Sequence, residues 1–85
     1  TRNLALELKD LNVVVNSISP GPLLTKINKP VLKNKKKYLQ MCSKIPMERF
    51  GKVNELETAI LFLSSDKSTY ITGSEIVIDG GWQIL

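Results

Sequence analysis

The chain has no histidine and a single cysteine, Cys42, in 85 residues. These shortages exclude an internal disulfide and leave too few soft ligands for a zinc site. They also leave Cys42 without an imidazole to activate it, so the residue reads as a small core side chain on an apolar stripe rather than a nucleophile. Aromatic residues make up only 6% of the chain, too few to interleave with its lysines as base-stacking platforms, and no nucleic-acid docking motif accompanies the charge. No apolar run approaches the roughly 20 residues that span a bilayer, and the N-terminus lacks the basic, apolar, small-residue order of a signal peptide. The expectation is a cytoplasmic protein that binds neither membrane nor nucleic acid, in the reducing compartment that a lone cysteine suits. Glycine is sparse as well, and Gly21, Gly51, Gly73, Gly80 and Gly81 have no spacing that would cradle a phosphate.

What is present is ordinary in bulk and pointed in detail. With 42% hydrophobic and 24% charged residues, the composition is that of a soluble globular segment with room for one domain at most. Two β-branched runs end abruptly. Asn12-Val13-Val14-Val15-Asn16-Ser17-Ile18-Ser19 stops at Pro20-Gly21-Pro22, and Glu75-Ile76-Val77-Ile78-Asp79 stops at Gly80-Gly81-Trp82. Tips of parallel strands followed by such turns are where open α/β sheets hold ligands.

Between and before these runs the pattern is helical. Leu4, Leu8 and Leu11, with Ala5 beside them, share one face of a helix ending near Asp10. Val13, Val14 and Val15 fill both faces of the first strand, as in a parallel sheet covered on both sides. Leu32, Leu39 and Cys42 sketch one amphipathic helix after Pro30, loosely docked because lysines interrupt it. Asn54 and Glu57 have capping-box spacing. Leu56, Ala59, Ile60 and Leu63 then give the stripe of a well-buried helix. The order helix, strand, helices, strand is the grammar of a βαβ unit, so the expected class is α/β with the two strands parallel.

Four segments in this order resemble the C-terminal third of the short-chain dehydrogenase/reductases, NAD(P)-dependent oxidoreductases of Rossmann type. Asn3-Leu4-Ala5-Leu6-Glu7-Leu8 resembles the end of the family's catalytic helix, and Val15-Asn16-Ser17-Ile18-Ser19-Pro20-Gly21-Pro22-Leu23-Leu24-Thr25 its nicotinamide-side loop. Ile45-Pro46-Met47-Glu48-Arg49-Phe50-Gly51 resembles the link after the substrate loop, and residues 70–82 the closing strand. The resemblance implies that residues 1–85 are one C-terminal segment of a doubly wound parallel sheet, incomplete without its N-terminal half. The family's Gly-x-x-x-Gly-x-Gly loop, catalytic serine and Tyr-x-x-x-Lys pair have no counterpart here, since Tyr38 and Tyr70 are followed four residues later by Cys42 and Ser74. No catalytic or metal-binding residue is therefore expected in this chain. A cut piece of a longer polypeptide, beginning just after the Tyr and Lys, is the preferred reading.

By the same resemblance Pro20, Gly21, Leu23 and Thr25 lie beside the nicotinamide of NAD or NADP, with Thr25 offering a hydroxyl to the carboxamide or pyrophosphate. The chemistry suits the residues. Gly21 permits close backbone approach, Pro20 fixes a turn, and a hydroxyl both donates and accepts. Leu24 departs from the polar residue common there. Residues 26–46 correspond to the substrate loop and carry Lys26, Lys29, Lys33, Lys35, Lys36, Lys37 and Lys44. Those lysines read first as a solvated face, and second as a field attracting an acidic carrier protein or phosphorylated acyl donor. Arg49 reads as a turn anchor, and the last helix and strand, with Gly80-Gly81-Trp82, as a subunit contact.

Energetics point the same way. A compact globule of this mass buries roughly 8,000–9,000 Å². About 5,000 Å² of apolar surface at about 25 cal/mol/Å² contributes about 125 kcal/mol, and ordering the chain at about 1.5 kcal/mol per residue costs roughly the same. Two parallel strands without neighbours fall short of that ideal globule. The expected partners are thus the missing N-terminal half or further copies in a homo-oligomer, and the resemblance to the family adds a small carbonyl or alcohol substrate. The expected function is hydride exchange between nicotinamide and that substrate, with no turnover by this segment alone. The alternative is a non-catalytic oligomerisation or interaction fragment.

Overall fold

The structure, a computed structural model, describes residues 1–84. Helix α1 (Arg2–Glu7) passes into a 3-10 turn at Lys9–Leu11. Asn12 stops it in the left-handed region at φ 56°, a conformation that asparagine tolerates better than most residues. Ala5 is buried, 3.8 Å from where a Cβ on Gly73 would stand, so α1 packs through its smallest residue against that turn. Leu4 and Leu11 on the expected stripe remain exposed.

Strands β1 (Ser17–Pro20) and β2 (Glu75–Ile78) pair in parallel, with Ser17 opposite Glu75 and Pro20 opposite Ile78. The α/β order and the parallel pairing are as the sequence implies. The strand is shorter than expected at its start, because residues 12–16 lie outside it. Opposite them the chain turns at Gly73, φ 75°, whose N–H donates to the Val15 carbonyl at 2.7 Å, a single backbone bond rather than a regular ladder. Side chains bridge the gap. Val15 N–H donates to Thr72 Oγ1 at 3.0 Å, Asn16 Nδ2 to the Ile71 carbonyl at 2.9 Å, and Ser74 N–H to Asn16 Oδ1 at 3.0 Å. Two parallel strands without neighbours leave an apolar face uncovered, as expected of this segment: Val77 in β2 is exposed, as are Val13 and Val14 before β1.

The segment after β1 corrects two further expectations. One helix after Pro30 is in fact two, α2 (Lys29–Leu32) with Pro30 in its first turn and α3 (Lys35–Cys42). Asn34 separates them and caps α3, its Oδ1 accepting from Lys37 N–H at 3.1 Å. Docking is tight rather than loose. Cys42, Ile45 and Phe50 are buried, with Val31, Leu32, Tyr38 and Met41 packed around them. Tyr38 meets Phe50 edge to face, ring centres 5.1 Å apart.

Helix α4 (Asn54–Ser64) reverses the other expectation, for it has no buried residue. Leu56, Ala59 and Leu63 are half-buried, while Ile60, Leu61 and Phe62 are exposed. The helix rests on β1 by one side only. Its cap also differs from the Asn54–Glu57 box. Val53 is the N-cap residue and makes no side-chain cap; Glu55 instead reaches back to Lys52 N–H at 2.9 Å, one half of a box shifted along the chain.

The outcome is an open body. Its accessible surface of 6758 Å² exceeds the roughly 5,000 Å² expected for a folded monomer of this mass. The radius of gyration is 16.0 Å, against about 12 Å for a compact domain of this length.

Candidate functional site

Parallel pairing brings the C-terminal ends of both strands to one edge of the sheet. Gly21 N–H extends the ladder by one step to the Ile78 carbonyl, 3.0 Å away. A Cβ on Gly21 would lie 2.7 Å from Asp79 Cβ and 2.8 Å from its Cα. The physical need for glycine is therefore the neighbouring strand tip, a reason the sequence reading did not supply. Asp79 holds that tip in place, its Oδ1 accepting from Gly81 N–H and its Oδ2 from Gln83 N–H, both at 2.9 Å. An aspartate two residues before a glycine in a turn is a known sequence signal for such a bond, and it passed unused.

Beyond Gly21 the loop is braced by a second short pairing. Leu23 bridges Gly51 in parallel, with Leu24 N–H to the Gly51 carbonyl at 2.8 Å and Gly51 N–H to the Pro22 carbonyl at 3.0 Å. The Leu23 carbonyl accepts from Thr25 N–H at 2.9 Å and from Asn28 Nδ2 at 2.7 Å. Its hydrogen-bonding capacity is met within the chain. Thr25 is extended and half-buried at the head of the 3-10 turn Lys26–Asn28, and its hydroxyl takes no partner among the described residues.

The structure divides the four predicted residues. Pro20 and Gly21 border an open cleft of about 450 Å³ with Ser19, Val77, Asp79 and Trp82. Leu23 instead borders a smaller hollow of about 100 Å³, with Met47, Arg49 and Gly51 among its neighbours. Thr25 lines neither of these. No cluster of histidine, cysteine or carboxylate side chains capable of holding a metal occurs among the described residues.

The chain returning to the sheet is clamped at the same edge. Met47 N–H donates to the Gly80 carbonyl at 3.1 Å. Gly80 and Gly81 have φ of 65° and 93°, and side chains there would press on Ile45 Cγ2 at 3.0 Å and Pro46 Cγ at 2.9 Å. Arg49 anchors the following turn as expected, its guanidinium forking onto Glu55 at 2.7 and 2.9 Å and reaching the Phe50 carbonyl at 3.2 Å. The arginine, with help from Lys52 N–H, pulls the Glu55 carboxyl down to about 2, and the carboxylate in turn raises Arg49. Both side chains are well exposed, so solvent screens most of that coupling.

Open α/β sheets hold ligands outside the carboxyl ends of their strands, and the cleft bordered by Pro20 and Gly21 lies at that end of β1 and β2. Residues 1–83 match the sequence profile of the family described as Enoyl-(Acyl carrier protein) reductase. The chain is 41% identical over 80 residues to a glucose 1-dehydrogenase of Gluconobacter oxydans, covering 94% of this chain and 30% of that protein. It is 42% identical to a 3-oxoacyl-[acyl-carrier-protein] reductase of Buchnera aphidicola, covering 94% and 32%. The solved structure of a 4-hydroxyisoleucine dehydrogenase complexed with NADH superposes on the whole chain with a TM-score of 0.92 and 36% identity, and 35% of that structure is covered. The chain belongs to the short-chain dehydrogenase/reductase family and has the Rossmann-type fold of its relatives. It spans about a third of the length of the relatives it matches.

Proposed function

We propose that this chain is the C-terminal part of an NAD(P)(H)-dependent oxidoreductase that exchanges hydride between a nicotinamide and a carbonyl or alcohol substrate. The observation that carries the reading is the parallel pairing of β1 with β2, which sets Pro20 and Gly21 at a sheet edge beside an open cleft. The residues fit a nicotinamide in part. Pro20 and Gly21 offer a surface at the cleft and Thr25 a hydroxyl with capacity to bond, whereas the Leu23 carbonyl is already committed to Thr25 and Asn28. Leu23 then contributes apolar contact rather than an acceptor. When bound, the dinucleotide supplies or takes the hydride, and this chain's share is to orient the ring and exclude water from it.

The proton donor that carbonyl reduction requires is not found in this chain, so the segment alone does not turn over. Residues 26–46 serve as the substrate loop. Similar structures solved with NADH in one case and with bound NADP in another support NAD or NADP as the cofactor without choosing between them. The whole protein works in the cytoplasm, the place expected from its composition.

The second reading, a non-catalytic interaction part, draws on one observation, the exposure of Ile60, Leu61 and Phe62 on α4. In an enzyme the same face packs against the remainder of the protein or a second copy. The test extends the coding region upstream of Thr1, purifies the product and follows Trp82 fluorescence during NADH and NADPH titrations. A saturable response to at least one nucleotide is expected. If neither evokes one, and no Tyr-x-x-x-Lys precedes the segment, the interaction reading replaces the enzyme.

A further inference from the structure

The peptide groups on either side of Gly51 are each hydrogen-bonded at both ends. In the first, between Phe50 and Gly51, the Phe50 carbonyl accepts from Arg49 Nη1 at 3.2 Å, while the Gly51 N–H donates to the Pro22 carbonyl at 3.0 Å. In the second, between Gly51 and Lys52, the Lys52 N–H donates to Glu55 Oε1 at 2.9 Å, while the Gly51 carbonyl accepts from Leu24 N–H at 2.8 Å. The outer end of one group is thus held by Arg49 and that of the other by Glu55. These two side chains hold each other through a fork of 2.7 and 2.9 Å. A peptide group is planar, so holding one end sets the direction of the other. Bonds linked in such a chain also polarise and strengthen one another.

The inner ends of both groups meet the loop after β1. Among the described residues, the two bonds to Gly51 are the only hydrogen bonds that tie residues 22–25 to anything beyond their own turn, which closes at Asn28. Between Leu23 and the fork lies the hollow of about 100 Å³, so on that side the loop is fixed by polar links more than by packing. Gly51 is the one residue type that suits the junction, because a Cβ there would stand 3.0 Å from Leu23 Cδ2.

The fork does little for global stability, since its side chains are 44% and 39% exposed and solvent screens them. What it supplies is direction. A guanidinium and a carboxylate joined by two parallel bonds admit one mutual orientation, which an ammonium in place of the guanidinium would not impose. We infer that Arg49 and Glu55 are positioning residues for the nicotinamide, acting through the two peptide groups at Gly51 on the loop from Pro22 to Thr25. This rests on the oxidoreductase reading, which sets that loop beside the ring.

The test uses the full-length protein and compares two ligands by calorimetric titration. One is the reduced nicotinamide nucleotide that the wild type binds; the other is the matching ADP-ribose, which lacks the ring. R49Q and E55Q each raise Kd for the nucleotide about fivefold, the scale of one lost hydrogen bond, and leave Kd for ADP-ribose within about twofold. The double variant R49Q/E55Q binds no more weakly than the poorer single one, because both substitutions break the same relay. R49K, which keeps the charge without the fork, falls between R49Q and the wild type. The control is E57Q, which removes the other carboxylate of the first turn of α4 and changes neither Kd. Circular dichroism checks the folding of each variant, and R49K with E55Q carries the test should R49Q not fold. Equal losses for the two ligands mark a general structural role and overturn the inference. An unchanged nucleotide Kd, or additive losses in the double variant, overturns it too, and all three results leave the oxidoreductase reading standing. A wild type that binds neither NADH nor NADPH sinks that reading, and the positioning role with it.

Discussion

Residues 29–50 are rich in lysine and yet close a core, whereas the sheet and α4, the more apolar of the two regions, do not. In the helical segment Phe50 is 1% exposed and Ile45 2%. On α4, Leu61 is 71% exposed. The difference is one of where the partners lie in the chain. Val31, Tyr38, Cys42, Ile45 and Phe50 are close in sequence and fold back on one another through short loops, whereas a parallel sheet collects its covering layers from distant elements. A segment can therefore be dense in charge and well packed, or rich in leucine and open.

The largest test of that contrast is Phe50→Ala. It should destabilise the full-length protein by about 3–5 kcal/mol in urea unfolding, with hydrogen exchange in α3 rising first. Gly21→Ala drives a methyl into the Asp79 backbone, and a loss of about 1–3 kcal/mol is expected. Nucleotide affinity measured on the same variant should drop, because the loop can yield only by leaving the strand tip. Leu61→Ser sharpens the comparison from the open side. A cost of about 1–2 kcal/mol in the full-length protein would reveal a covered face, and a change under about 0.5 kcal/mol would mean that α4 faces water there too.

Smaller effects probe the join between the regions. Glu48 is held at φ 58°, so Glu48→Gly should raise stability by about 0.5–1 kcal/mol, read as a higher urea midpoint with an unchanged slope. Glu55 gives the smallest signal. Its carboxyl is depressed in the folded chain from 4.5 to about 2, so its stabilising link to Arg49 is whole above pH 4.5 and fades as pH falls towards 2. Glu55→Gln should flatten that part of the acid unfolding profile. An unchanged profile would remove the link from the account.

Much of the fold was legible. The β-branched run to Ser19 and the run from Glu75 declare strands, Pro20-Gly21 and Gly80-Gly81 declare where they stop, and the α/β order follows. The misread places share a cause. Val13 to Val15 have strand propensity, but a ladder needs a continuous partner, and the chain opposite turns at Gly73 after one backbone bond to Val15. Asn54 has cap spacing, but the helix begins around Val53, and Glu55 takes the exposed Lys52 N–H. The site was legible only in outline. Pro20 and Gly21 do sit at a cleft, while Leu23 faces another hollow and Asp79, unmarked beforehand, holds the tip together.

Sequence alone determined the alternation of helix and strand, the strand ends and the family, because these depend on local backbone preference and on residues in fixed order. Tertiary structure alone decided which apolar side chains are buried, which glycine answers to which neighbour, and that Asp79 stands beside Gly21 at the cleft. Those are matters of which distant atoms meet, and no local pattern carries that information.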